Sequence, residues 1–150
     1  MNAEQPAELV IAHAALGELR WTKQSGEWVG RVSSLSGEWS VVIVDEHGSA
    51  ETLNTSVMLY QRAIRAERNI LRTALRAEVS DLYNESWAGG SGELGEGELL
   101  NRLRLELVNV DVSGYSAIEF HYDGTELFGG HVLVIELDEK LKYQDCDLRG

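Results

Sequence analysis

The chain reads as an α+β domain in which largely antiparallel strands, an N-terminal meander and a C-terminal meander, pack on one long or broken central helix. Three observations predict this: period-two apolar patterning over residues 9–48, helical periodicity from Ser49 to Trp87, and period-two patterning again after residue 104. At 150 residues and 43% hydrophobic, the chain suits a single domain spanning 1–150. A domain of that size buries roughly 70% of its unfolded surface, so it needs no disulfide or metal to hold it together.

Leu9–His13 is a short apolar strand, and Leu19–Thr22 follows a turn at Gly17 with Leu19 and Trp21 on one face. An internal echo follows, Ser25-Gly-Glu-Trp28 and Ser36-Gly-Glu-Trp39, eleven residues apart. Each copy is a polar turn leading into Trp and β-branched residues, the spacing of consecutive antiparallel strands. Trp21, Trp28 and Trp39 are therefore expected on the core side of a meander.

Tyr60, Ile64, Leu71, Leu75 and Leu82 recur at helical spacing, with Arg65, Arg68, Arg72 and Arg76 on the opposite, solvated side. A continuous helix over Val57–Trp87 would be roughly 46 Å long, which predicts a break or kink, placed near Glu78–Ser80, where Ser80 could cap a second short helix. Trp87 is expected to anchor the helix end on the sheet. Ala88–Gly97, with five glycines, reads as a mobile spacer loop carrying glutamates, and Glu98–Leu103 as one helical turn.

In the strand Leu105–Val112, apolar parity changes from Leu103/Leu105/Leu107 to Val108/Val110/Val112, which predicts a bulge. Ser116–Tyr122 and His131–Leu137 are expected to pair with Phe120 opposite Leu133, Ile118 opposite Ile135 and Tyr122 opposite His131. A turn at Asp138–Lys140 leads to a last strand, Tyr143–Leu148. Between the paired strands, Tyr122-Asp-Gly-Thr125 is a turn sequence in which Gly124 is expected to take a positive φ, and Gly129-Gly130 lets the backbone swing into the next strand.

Charge narrows the function classes. The 25 acidic and 13 basic residues give −12, and Val57–Arg76 carries five arginines and one glutamate, a local +4. The remainder is therefore −16, a field that repels nucleic acid and attracts a basic protein. Cys146 is the sole cysteine, so no internal disulfide forms; with no secretory or membrane-spanning segment at the start, a cytoplasmic, soluble protein is expected.

No nucleophile elbow, zinc-protease motif or P-loop appears, so no catalytic residue and no cofactor is assigned. Cys146, between Asp145 and Asp147, is a poor thiolate. His121, Asp123, Glu126 and His131 are competent metal ligands by type, but strand alternation puts His121 on the face opposite His131, which shares parity with Leu133, Ile135 and Leu137 as a hydrogen-bonded core histidine does.

The run Asp123-Gly-Thr-Glu-Leu-Phe-Gly-Gly-His131 followed by alternating aliphatics, with Asn84-Glu-Ser-Trp87 and the closing Leu148-Arg-Gly150, resembles a bacterial family known as domain of unknown function 2262. The resemblance covers about the last seventy residues well and the first half by element order. Small acidic domains of this kind are found beside bacterial toxins delivered between cells, so the resemblance implies an immunity-type inhibitor that occludes a cognate toxin or other basic protein. The expected contacts are Glu93, Glu96 and Glu98 on the loop and Asp123 and Glu126 on the polar turn. The alternative is a small metal- or ligand-binding enzyme centred on His121, Asp123 and His131.

Overall fold

The structure, a computed structural model, describes residues 6–89 and 92–150. Eight strands form one sheet in sequence order: β1 Glu8–His13, β2 Gly17–Thr22, β3 Glu27–Ser34, β4 Gly37–Val44, β5 Arg104–Val110, β6 Ile118–Asp123, β7 Val132–Leu137 and β8 Tyr143–Arg149. All neighbours are antiparallel except β4 and β5, where two four-stranded meanders join in parallel. A parallel join needs a long crossover, and the helices supply it: α1 Ala50–Arg65, α2 Glu67–Ala74, a π-helical turn Leu75–Val79, α3 Ser80–Ser86 and α4 Glu96–Arg102. Among the described residues no helix is long and apolar enough to cross a membrane.

Alternation along each strand aligns apolar side chains into rows across the whole sheet. One row runs Leu9, Trp21, Trp28, Ile43, Val110, Ile118, Leu137 and Tyr143. These rows face the helices, whose Leu53, Val57, Tyr60, Leu71, Leu75, Val79 and Leu99 complete the core. The three tryptophans Trp21, Trp28 and Trp39 are buried there, as their spacing predicts. Their polar edges are satisfied: Trp21 Nε1 donates to the Asp45 carbonyl at 2.6 Å, Trp28 Nε1 to Asp45 Oδ2 at 3.0 Å, and Trp39 Nε1 to the Tyr60 hydroxyl at 2.9 Å. Buried Asp45 is thus the acceptor that lets two indoles enter the core.

The central helix differs from its expected outline in two places, the break at Ala66 and the role of Ser80. It begins at Ala50, where the helical periodicity starts, with Ser49 Oγ accepting from Thr52 N–H at 3.4 Å. A break falls at Ala66 (φ −99°, ψ 4°), which the spacing does not predict, while near the expected Glu78–Ser80 the α-helix is interrupted by the π turn Leu75–Val79 and resumes at Ser80. Ser80 has helical dihedrals (φ −61°, ψ −43°) and caps nothing, since a cap residue must leave the helical region. The chain passes that point through the π turn, whose larger number of residues per turn suits the four-residue spacing of the buried Leu75, Val79 and Tyr83. Arg62, Arg65, Arg68, Arg72 and Arg76 are all exposed, the solvated face the pattern implies.

The parity change in β5 is a bulge between Leu105 and Leu107. The β6–β7 pairing is shifted by two residues from the expected register: Phe120 faces Ile135, Ile118 faces Leu137 and Tyr122 faces Leu133. The connection takes up the difference. Gly124 C=O accepts from both Leu127 N–H (3.1 Å) and Phe128 N–H (2.6 Å), and Phe128 C=O accepts from His131 N–H (3.1 Å). This hydrogen-bonded loop keeps His131 out of the ladder, so pairing ends at Asp123–Val132. A shift of two preserves parity, and Phe120 and Leu133 lie fully buried on the same face.

Candidate functional site

The residues that carry the family resemblance meet at one corner. Trp87, at the end of α3, stands edge-on to Phe128 (centroids 5.9 Å apart) and to His131 (5.4 Å), and Tyr83 packs on the other side of Phe128 (5.9 Å). Trp87 therefore anchors the helix on the polar turn rather than on the strands. His131 Nδ1 donates to the Phe128 carbonyl at 2.7 Å, which fixes the imidazole, and a side chain on Gly150 would meet that ring at 3.1 Å. Asn84 pins the glycine-rich loop: its amide donates to the Leu94 carbonyl (3.0 Å) and its oxygen accepts from Leu94 N–H (2.8 Å).

Within the turn, Asp123 Oδ1 accepts from Thr125 N–H (2.9 Å) and Thr125 Oγ1–H (2.6 Å), bonds that hold its carboxyl below the usual aspartate range. Gly124 does not adopt the positive φ expected of it; Gly129 (61°) and Gly130 (89°) do. Gly124 is needed for space instead, because a Cβ there would lie 2.4 Å from the His131 carbonyl oxygen.

The possible metal ligands are dispersed. His121 Nε2 donates to Glu119 Oε1 at 3.1 Å on the helix-free face, while His131 is held by Phe128 and Trp87 at the corner. His131 is half-buried outside the strand, not a core residue of β7. Among the described residues no three His, Cys, Asp or Glu side chains gather as a metal-binding group. The Cys146 thiol is pushed up to about 11, first by burial and then by Glu78 and Asp145, so the neighbouring acids are the smaller cause.

The expected partner contacts divide between helix and turn. Glu96 and Glu98 belong to the first turn of α4 and not to the loop, because α4 starts two residues earlier than its pattern indicates. Glu96 pairs with Arg76 at 2.9 Å and Glu98 with Arg102 at 3.2 Å. Glu93 and Glu126 are exposed with no ion pair among the described residues. Asp123 and Glu126 line a hollow of about 210 Å³ with Arg102 and Arg104, so the turn and α4 form one mixed-charge edge.

A larger surface escapes residue-by-residue reading. No described helix covers the outer face of the sheet. Its paired positions include Glu8, Glu18, Glu27, Glu38, Glu119, Glu136, Asp145 and Asp147 against Arg20, Arg31 and Arg149, a balance of −5 from eight acids and three bases. The corner pair Arg104 and Asp123 leaves that balance unchanged. Each arginine is already engaged: Arg20 by Glu8 and Glu18, Arg31 by Glu38, and Arg149 by Glu119, Glu136 and Asp147. Beside them, Val10 and Val29 are 51% and 45% exposed. The signal was present as outward acids alternating with inward apolar residues, but only the strand order assembles it into one face.

No curated protein and no solved structure matches the chain. The model of a bacterial family described as an uncharacterized protein conserved in bacteria, DUF2262, matches residues 13–148, well beyond the motif-bearing C-terminal half, and the chain belongs to that family.

Proposed function

We propose that this protein is an immunity-type inhibitor that binds a basic protein, a cognate bacterial toxin domain, and blocks it by occlusion. The observation that carries the reading is the helix-free sheet face, where carboxylates outnumber arginines that they already engage. Such a face accelerates the approach of a basic partner and disfavours an acidic one. Exposed Val10 and Val29 beside the charged ladder supply the apolar centre that a polar-rimmed interface uses. The face continues to Asp123, which pairs through Val132 to Arg149, so the polar turn with Glu126 extends the same surface. On the helical side Glu93 is exposed beside Glu96 and Glu98, which Arg76 and Arg102 already engage, and the three are the second set of candidate contacts.

The test is co-expression with the product of the adjacent gene, followed by growth and binding assays. Binding should slow as salt rises, because screening shortens the reach of charge to roughly 8 Å at physiological ionic strength. Glu27→Lys with Asp145→Lys should slow association about tenfold if the sheet face is the contact, and reversal at Glu93, Glu96 and Glu98 should do so if α4 is. A neighbour that is neither toxic nor bound removes the reading. Stoichiometric metal in the purified protein, lost on replacing His121 or His131, would instead favour the metal-dependent enzyme.

A further inference from the structure

At the break between α1 and α2 lies a hollow of about 310 Å³, lined in part by Arg65, Arg68, Arg104, Asn101, Glu67 and Trp39. Three arginines line it in a chain of net charge −12. Among the described residues Arg65 and Arg104 make no side-chain hydrogen bond or ion pair, although 25 acidic residues are available in the chain.

Arg68 is fixed in place. Its Nε pairs with Glu67 Oε1 at 3.2 Å and its Nη1 donates to the Leu100 carbonyl at 2.8 Å, leaving Nη2 unengaged. Glu67 is itself held by the Tyr122 hydroxyl at 2.8 Å. The hollow's other carboxylate, Glu38, is paired with Arg31 at 3.2 Å. The two acids are thus both engaged, while two arginines and the Asn101 amide have no partner among the described residues.

We propose that this hollow binds a phosphate group carried by a small molecule, with Arg65 and Arg104 as its charged clamps and Arg68 and Asn101 as further donors. Guanidinium forks match phosphate oxygens in geometry and charge, and are the side chains best suited to holding that group. The volume is at the small end of the range for ligand pockets, which suits a compact phosphomonoester rather than a nucleotide chain. Trp39, whose indole N–H is already used by Tyr60, contributes apolar wall. The hollow touches the edge of the acidic sheet face at Glu38 and Arg104, but phosphate binding is read out without any partner protein, so its test does not depend on the inhibitor reading.

The experiment titrates the full chain with inorganic phosphate at constant ionic strength, following the arginine Nε–H signals by NMR. Saturable shifts are expected, with affinity lowered about tenfold by Arg65→Gln or Arg104→Gln and unchanged by Arg72→Gln, an exposed arginine outside the hollow. Non-saturating shifts, equal loss with Arg72→Gln, or acetate binding as tightly as phosphate would each overturn the assignment. The variants change exposed side chains, and an unaltered melting temperature confirms that any loss is local.

Discussion

The phenol of Tyr122 donates to Glu67 Oε2 at 2.8 Å, joining the middle of the sheet to the helix break across 55 residues of sequence. Both groups are buried, and Glu67 also pairs with Arg68. This contact explains why a glutamate is tolerated on the buried side of an otherwise apolar helix face: its two oxygens are both engaged.

Tyr122→Phe should therefore leave a buried carboxylate short of a donor and lower stability by about 1.5–3 kcal/mol, measured by urea unfolding. Burial first, and Glu67 second, push the ionisation of Tyr122 well above its ordinary value of 10.0. The folded state thus keeps the proton longer than the unfolded chain, so this contribution is present below pH 10 and lost as pH rises above it. In Tyr122→Phe, the fall in stability above pH 10 should be shallower than in the parent; an identical fall would exclude Tyr122 as a source.

Two glycines should respond differently to alanine. At Gly124 the new Cβ meets a backbone oxygen, that of His131, at 2.4 Å, and the surrounding loop is locked by its own hydrogen bonds. At Gly30 the first obstacle is Leu19 Cδ2 at 2.5 Å, the far end of a side chain, with the Glu18 backbone oxygen farther off at 3.3 Å. Gly124→Ala is expected to lose about 2–3 kcal/mol and Gly30→Ala about 1 kcal/mol by equilibrium unfolding. The reverse order would show that the loop, and not the core row at Leu19, is the more compliant.

Acid should weaken the outer face. The Glu119 carboxyl lies below the ordinary glutamate value of 4.5, held there first by its bond to His121 and then by Arg149. A lowered value means stability that is present above pH 4.5 and is lost as pH falls through the folded-state value. Glu119→Gln should flatten the acid limb of the stability profile, with Arg149→Gln giving part of that effect because His121 remains. An unchanged acid limb in Glu119→Gln would contradict this, with calorimetric melting temperature as the readout.

The sequence by itself determined which side of each element is buried. Alternation put Leu19 and Trp21 inward, gave the bulge in β5 from its parity change, and set Phe120 and Leu133 on one face, although the register itself lies two residues from the one alternation implies. It also determined the turn at Asp123, because Asp and Thr bond locally whatever surrounds them. These features depend on neighbours close along the chain. Register, helix break and charged surfaces do not. The β6–β7 register depends on how many residues the Gly124–His131 loop consumes, and the break at Ala66 adjoins Glu67, which is held by a tyrosine 55 residues later. The acidic sheet face and the arginine-lined hollow exist only because strand order and helix packing bring distant charges together. Patterning selects a face by summed burial of nearby side chains, whereas pairing and site assembly follow from long-range contacts, and only the tertiary structure decided those.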